Sequence, residues 1–201
     1  SWSLEALKTC PGSIKSVIKG IIELVDACKG CYATTGMYNM PNVKAPRISN
    51  KEDWKRKDWV DDMVSAIFND ELFRWFDSGD AYDLRLTKKI KQVIERTPTT
   101  KHWFPTRQHK FPKFAKVLAE IAALPNAVVR LSSDSINGGI IAGDTTSTIW
   151  NTKPPKGAFE CGAYTREGQC KDCRACWDKN VKVVAYPGHG NKMLKVIRLQ
   201  G

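Results

Sequence analysis

The sequence predicts an α/β protein, an incomplete or irregular (β/α) barrel with a cysteine-rich C-terminal loop segment. Three observations favour this class. Short apolar runs alternate with stretches of helical periodicity, the connections between apolar runs are long, and four of the seven cysteines fall in the last quarter of the chain. Connections of about ten or more residues imply parallel pairing and right-handed βαβ units. An open doubly wound sheet is the alternative architecture.

The first third of the chain predicts one strand and two helices. Residues 2–7 form the expected strand, and Ser13 is the expected N-cap of a helix that continues to Cys28. The apolar residues of that helix follow a helical period: Val17, Ile18, Ile21, Ile22 and Val25. A loop rich in Gly, Asn and Pro follows, and Asn50 is the expected N-cap of the second helix.

The remainder predicts further strands and helices in alternation. The expected strands cover residues 73–76, 102–106, 127–131, 140–141, 147–149, 181–186 and 196–197. The expected helices between them cover residues 82–95 and 112–124. Functional groups of parallel α/β proteins collect at the carboxyl ends of strands. That rule directs attention to the residues that directly follow each strand.

Length and composition favour one domain over residues 1–201. Residues 1–150 form the expected barrel-like part, and residues 151–201 form the cysteine-rich segment with closing strands. The hydrophobic share of 42% is ordinary for a globular protein. No secretory signal opens the sequence and no apolar run approaches the roughly 20 residues that span a bilayer. We therefore expect no membrane association and a reducing, cytoplasmic location.

The carboxyl-terminal cysteines give the densest chemical signal. Cys170, Cys173 and Cys176 form a C-x-x-C-x-x-C run, and Cys161 lies upstream. Seven cysteines cannot all pair, and neighbours within one turn make poor disulfide partners. Thiolates at every third residue suit an iron–sulfur cluster, because each can reach a different iron. The four are the expected ligands of a [4Fe–4S] cluster, and structural zinc is the alternative.

A second cysteine group lies near the other end of the chain. Cys10 follows the first expected strand, and Cys28 and Cys31 form a C-x-x-C pair. Three cysteines without a local fourth suggest a cluster with one open iron, or a ligand supplied from elsewhere. A buried Cys10 beside a weak pair is the alternative. Spacing alone leaves open whether the seven cysteines hold one centre or two.

Four other residues are candidates for catalytic or binding roles at strand ends. His189 follows an apolar strand and can ligate metal or transfer protons, although a lone histidine is more often structural. Asp77 and Asp80 flank Ser78-Gly79, where an Asx turn or an N-cap is the simpler role. Arg107 can hold an anionic substrate, although an exposed arginine is the simpler interpretation.

The net charge of +11 indicates an anionic partner or a solvated basic surface. Residues 107–110 together with Lys113 and Lys116 are the most concentrated basic segment. The expected partners are an anionic substrate, nucleic acid or an electron-donor protein. The phosphate loop, the dinucleotide fingerprint and the hydrolase and metalloprotease motifs are all absent from the sequence.

Two motifs resemble the phage "gene product 88" family. One is Cys10-Pro11-Gly12-Ser13 followed by Cys28-x-x-Cys31-Tyr32-Ala33-x-x-Gly36-x-Tyr38, and the other is Cys170-x-x-Cys173-x-x-Cys176-Trp177 with a strand and His189 behind it. The resemblance covers most of the chain. It implies a viral protein encoded by a bacteriophage and acting in the cytoplasm of the bacterial host. It implies little about activity.

The chain is also distantly similar to radical S-adenosylmethionine enzymes, which place a three-cysteine [4Fe–4S] cluster after the first strand of a partial barrel. Tyr32 follows Cys31 as an aromatic residue follows the last cysteine there, and the segment from Cys161 to Cys176 is similar to an auxiliary-cluster segment. The compact C-x-x-x-C-x-x-C motif is missing. The sequence therefore gives little support for S-adenosylmethionine binding.

Two functions from different classes follow. The first is an iron–sulfur protein holding one or two [4Fe–4S] clusters, with redox or radical-type enzymatic capacity. The second is a non-enzymatic basic phage protein whose cysteines hold structural zinc or a cluster, and which binds nucleic acid or a host protein.

Overall fold

The structure is a computed structural model that describes residues 1–199. It divides into two compact units. The first unit comprises Ser1–Gly12 and Ala33–Val129, and the second comprises Ser13–Tyr32 and Arg130–Gly201. One boundary between the units falls between Val129 and Arg130, inside a strand. The expectation of a single domain stays a prediction.

The first unit holds three parallel strands and four helices. The strands are β3 (Leu72–Arg74), β4 (Lys101–Thr106) and the first half of β5 (Ala127–Ser132), and Phe73 lies opposite His102 in the β3–β4 register. The helices are α2 (Pro41–Asp53), α3 (Trp59–Ile67), α4 (Leu84–Arg96) and α5 (Pro112–Ala123). Trp2 extends the β3 edge through one parallel bridge to Trp75.

Helices α4 and α5 follow directly from local sequence. The side chain of Asp83 caps α4 by accepting a hydrogen bond from the Arg85 N–H at 2.7 Å. Pro112 opens α5 at a position where the missing N–H costs nothing. Each helix buries one stripe: Leu86, Ile90, Val93 and Ile94 in α4, and Phe114, Val117, Leu118 and Ile121 in α5. Both expected helices are confirmed within one or two residues.

A buried histidine joins the tryptophan core of this unit. Trp75 Nε1 donates a hydrogen bond to His102 Nδ1 at 3.2 Å, and His102 Nε2 lies 2.9 Å from Thr97 Oγ1. Because the indole can only donate, the neutral ring of His102 carries its proton on Nε2 and donates it to Thr97. Burial lowers the pKa of His102 from 6.5 to about 4, against the opposing effect of the Thr97 contact.

The second unit contains the rest of the sheet and a separate hairpin. The hairpin pairs β1 (Ile14–Ile18) with β2 (Ile21–Leu24). The sheet strands are the second half of β5, then β6 (Thr146–Trp150), β7 (Phe159–Glu160) and β8 (Val183–Pro187). The helices are α1 (Asp26–Lys29) and α6 (Asn191–Arg198).

The predicted helix over residues 13–28 is wrong. The chain turns back at Lys19 and Gly20, whose φ angles of 50° and 79° define a two-residue hairpin turn. The aliphatic residues on either side have a helical spacing, but they are β-branched and fit strands equally well. Several remain exposed on the hairpin: Val17, Ile18, Ile21 and Ile22.

Four smaller expectations are also wrong. Residues 196–197 lie in α6 rather than in a strand, and residues 140–141 form no strand. Asn50 lies inside α2, which begins nine residues earlier at Pro41 and ends at Asp53. The expected first strand reduces to the single bridge at Trp2. Short apolar pairs such as Val196-Ile197 fit either element, so only their packing decides between them.

The α/β class with a parallel sheet is confirmed. The strands lie in the order β3-β4-β5-β6-β8-β7, and the pairings of β3 with β4, β5 with β6, and β8 with both β6 and β7 are parallel. Consecutive strands from β3 to β6 are neighbours, so the order lacks the central reversal of a doubly wound sheet. The barrel interpretation stays a prediction. Within residues 1–199, no helix has the length and apolar character needed to cross a bilayer.

The buried neutral state of His102 predicts a pH dependence of stability. The folded pKa lies below the unfolded one, so His102 contributes stability that is complete above about pH 6.5 and declines as pH falls toward 4. We expect the free energy of unfolding to fall by about 2 kcal/mol between pH 7 and pH 5 from this residue alone. Urea unfolding of the wild type and of His102→Gln measures it. An equal pH slope in both proteins would contradict the assignment.

Candidate metal centre

Two contacts tie the cysteine-rich segment to β8. The Cys161 N–H donates to the Ala185 carbonyl at 2.9 Å, and Cys176 Sγ lies 3.2 Å from the hydroxyl of Tyr186. Ala185 and Tyr186 are consecutive residues of β8, so the strand contacts both ends of the cysteine-rich segment, once through its main chain and once through a side chain. Parallel α/β proteins place their functional groups at such strand ends.

Tight turns carry the loop between these two anchors. Short 3₁₀ helices cover Gly162–Arg166 and Ala175–Trp177, and the Cys173 N–H donates to the Cys170 carbonyl at 2.9 Å. Lys171 adopts a left-handed conformation with φ of 47°. These turns keep the spacing of Cys170, Cys173 and Cys176 compact, because each turn advances the chain by about three residues.

A buried arginine holds the cysteine-rich segment through hydrogen bonds to its main chain. Arg130 lies on β5 with no exposed surface. Its Nη2 donates to the carbonyls of Ala175 at 3.0 Å and Asp178 at 3.3 Å, on either side of Cys176. Its Nη1 donates to the carbonyls of Thr146 at 3.1 Å and Val181 at 3.0 Å. One guanidinium thus ties together β6 and both sides of the Cys176 turn.

The four thiols influence one another electrostatically. Burial raises the pKa of Cys161, and the charges of Cys170 and Cys173 raise it further. Burial raises the pKa of Cys176 to about 11, with further increases from Cys161 and Cys170. The hydroxyl of Tyr186 and the charge of Arg130 act in the opposite direction on Cys176. Bringing a metal to these thiols therefore releases protons, since only thiolates are ligands.

The donor set fits an iron–sulfur cluster in number and kind. All seven cysteines lie within residues 1–199, and none of them forms a disulfide. Across those residues, no three side chains of Cys, His, Asp or Glu already stand in an arrangement that holds a metal ion. Ligation by these thiols requires the turns between Cys161 and Cys176 to draw closer together.

The second unit contains six of the seven cysteines. Cys28 is buried in α1, Cys31 follows it, and Cys10 belongs to the first unit. The turn between Cys28 and Cys31 depends on Gly30, since a Cβ there would come within 2.6 Å of Met193 Cα. Met193 lies in α6, so this close approach places the C-x-x-C pair against the start of that helix.

His189 contacts aromatic residues from both cysteine groups. Its ring centroid is 6.0 Å from that of Tyr32, which follows Cys31, and 4.4 Å from that of Tyr164, which lies three residues after Cys161. Burial lowers the pKa of His189 below its usual 6.5, so the ring is neutral at pH 7. One imidazole therefore contacts the tyrosine that follows Cys31 and the tyrosine three residues after Cys161.

Asp77 takes part in an ion-pair cluster of the first unit. Its Oδ2 lies 2.9 Å from Arg47 Nη2 and accepts a hydrogen bond from the Tyr38 hydroxyl at 2.7 Å. Its Oδ1 lies 3.3 Å from Arg74 Nη1. The guanidinium of Arg47 also lies over the ring of Tyr38 at 4.9 Å. These contacts anchor α2 to the end of β3.

Asp80 and Arg107 meet at the end of β4. The buried carboxylate of Asp80 accepts hydrogen bonds from the Thr106 hydroxyl at 2.7 Å, the Arg107 N–H at 2.9 Å and the Ala81 N–H at 2.8 Å. Burial raises the pKa of Asp80, and the hydrogen bonds and the charge of Arg107 oppose the increase. Asp80 therefore shapes the turn after β4. The basic residues Lys113 and Lys116 lie exposed on α5.

Sequence reasoning missed three residues of this site: Arg130, Tyr164 and Tyr186. Arg130 carried a usable signal, because a charge inside the apolar run Ala127-Val128-Val129-Arg130-Leu131 must find partners once the strand is buried. Tyr186 and Tyr164 gave no comparable signal. Their importance depends on loop geometry that spacing does not encode.

The family model of gene product 88 matches residues 1–179 of the chain. The match includes all seven cysteines and Arg130. No curated protein and no solved structure matches the chain. The expected similarity to radical S-adenosylmethionine enzymes is not among these findings and stays a prediction.

The raised pKa of Cys176 predicts slow alkylation in metal-free protein. At pH 8 a thiol of pKa about 11 has roughly 100-fold less thiolate than one of pKa 9.0, and its greater nucleophilicity recovers about tenfold. We expect Cys176 to react with iodoacetamide at least about tenfold more slowly than an unhindered peptide thiol. Tyr186→Phe should slow it further, because the hydroxyl lowers the pKa. Peptide mass spectrometry measures both rates, and equal reactivity of Cys176 and the peptide thiol would contradict the prediction.

Proposed function

The chain belongs to the phage gene product 88 family, and we propose that it is an iron–sulfur protein. Its carboxyl-terminal cysteines, Cys161, Cys170, Cys173 and Cys176, are the proposed ligands of a [4Fe–4S] cluster. The observation that carries this proposal is the convergence of Cys161 and Cys176 on consecutive residues of β8.

Electrostatic interactions among the four thiols support the binding of all four to one cluster. The pKa of Cys161 responds to Cys170 and Cys173, and that of Cys176 responds to Cys161 and Cys170. Thiolates that interact in this way repel one another, so a bound cation stabilises them together. An iron–sulfur cluster accepts thiolates at separate irons, which suits three cysteines spaced every third residue. Zinc binds all its ligands at one atom and more often uses two separated pairs.

We also propose a second centre at the amino-terminal cysteines. Cys28 and Cys31 provide the pair, and Gly30 allows the tight turn between them. The sequence predicts Cys10 as the third ligand, and this stays a prediction. This centre is tested separately from the first, because its ligands come from different parts of the chain.

A cluster of this type exchanges single electrons with a partner, which gives the protein redox capacity. The chain's own residues prepare the surroundings. His189 contacts Tyr32 and Tyr164, one from each cysteine-bearing segment. Burial lowers its pKa and favours the neutral ring, which can accept a proton. The rings of Tyr32 and Tyr164, which pack against His189, are themselves exposed. His189 is therefore our candidate for proton transfer near the proposed cluster.

Anaerobic purification with iron and sulfide analysis tests the proposal. We expect a brown protein whose broad visible absorbance is bleached by dithionite. Cys173→Ala should remove the iron and sulfide of the carboxyl-terminal centre, because it deletes a ligand from the middle of the set. Cys10→Ala is the matched control, and retention of that iron would separate two centres from one shared site.

Two outcomes would contradict the proposal. One is a colourless protein that contains neither iron nor acid-labile sulfide after anaerobic reconstitution. The other is a protein that contains zinc in a fixed ratio to the chain and loses zinc, rather than iron, in the Cys173→Ala variant. The second result would favour a structural metal, and salt-sensitive binding to DNA would then test the nucleic-acid alternative.

A further inference from the structure

We infer that Arg130 is the buried counter-charge of the proposed cluster, raising its reduction potential in addition to holding the Cys176 turn. This inference rests on the proposed function. Arg130 itself binds no iron, so it acts through its charge and through the main chain around Cys176. It is a positioning residue in that sense.

The hydrogen bonds of Arg130 hold the turn that contains Cys176. Nη2 reaches the carbonyl of Ala175, the residue before Cys176, and the carbonyl of Asp178, two residues after it. Nη1 holds the carbonyls of Thr146 and Val181 at the same time. The guanidinium therefore contacts the main chain on both sides of Cys176.

The positive charge of Arg130 has no full partner in the described part of the chain. No carboxylate oxygen within residues 1–199 forms an ion pair with it at 4.0 Å or less, and its Nε has no hydrogen-bond partner. The charges of Tyr186, Cys176 and Asp178 act on it only from farther away. Four carbonyl groups supply only partial negative charge. Burying an arginine completely without an anion is costly, and its guanidinium does not deprotonate in proteins. A group that brings negative charge to this place relieves that cost.

A cluster bound by four thiolates supplies such a charge. It is negative when oxidised and gains one further negative charge when an external donor reduces it. A nearby cation stabilises the reduced form more than the oxidised form, which raises the reduction potential. Because Arg130 is buried, water screens this attraction far less than it screens an exposed charge.

The same loop offers a matched control in Arg174. It lies between Cys173 and Cys176 and donates to the carbonyls of Lys171 and Cys173, but its side chain is exposed. Removing its charge should change the potential little, since solvent screens it. A comparison of the two arginines therefore separates burial of the charge from mere proximity.

The test compares Arg130→Met, Arg130→Lys and Arg174→Met after anaerobic reconstitution. Iron and sulfide content, the midpoint potential from a dithionite titration followed by EPR, and thermal unfolding of the metal-free protein are measured for each. We expect Arg130→Met to favour the oxidised form about tenfold, a shift of about 59 mV to more negative potential for one electron. Arg130→Lys keeps the charge and should stay near the wild-type potential while losing carbonyl contacts. Arg174→Met should match the wild type.

The outcomes separate this inference from the proposed function. A wild type that binds no cluster overturns both. A wild type with a cluster, and an Arg130→Met potential equal to that of Arg174→Met, overturns the inference alone. If Arg130→Met loses its cluster, Arg130→Lys decides. A retained cluster at the wild-type potential supports the counter-charge role, and loss of the cluster in both variants leaves Arg130 with a structural role only.

Discussion

Four main-chain carbonyls from β6 and the cysteine-rich segment lie in buried or partly buried positions, and Arg130 donates hydrogen bonds to all of them. Thr146, Ala175, Asp178 and Val181 all depend on this one guanidinium. Unpaired buried carbonyls would each cost free energy, so the segment can fold in this way only around the arginine. The position of Cys176, and through it the whole cysteine loop, follows from that constraint.

The strand β8 complements this arrangement from the other side. Its residues Ala185 and Tyr186 hold Cys161 and Cys176, and the chain then leads to His189 and into α6. Helix α6 packs on the C-x-x-C pair through Met193. A strand of five residues therefore connects the two cysteine groups of the second unit. This is the arrangement expected of a functional strand end, although it is built from residues distant in sequence.

Sequence patterns predicted the regular parts of the first unit because local rules decide them. In α4 and α5, a helical apolar stripe agrees with a capping residue or a proline at the first turn. The hairpin at Ile14–Leu24 failed the same test, because its aliphatic spacing suits a helix while the turn at Lys19-Gly20 requires reversal. The turn at Lys19-Gly20, rather than the aliphatic spacing, determines the structure of this segment.

Of the residues of the candidate site, sequence patterns predict only the proposed ligands. Cysteine spacing points to Cys170, Cys173 and Cys176, because these residues lie close together in the sequence. Arg130 and Tyr186 act through contacts with residues far along the chain, which spacing cannot reveal. Asp77 and Asp80 follow β3, and each contacts other residues of the first unit. Strand ends thus indicate where polar groups gather, and the contacts of each group decide its role.

Diffraction at the iron and zinc absorption edges, from crystals of anaerobically prepared protein, tests the central claim most directly. We predict an anomalous peak at the iron edge among the sulfur atoms of Cys161, Cys170, Cys173 and Cys176, beside the guanidinium of Arg130. The account would be contradicted by a peak there that appears only at the zinc edge, or by no peak at those four sulfur atoms in a protein reconstituted with iron and sulfide.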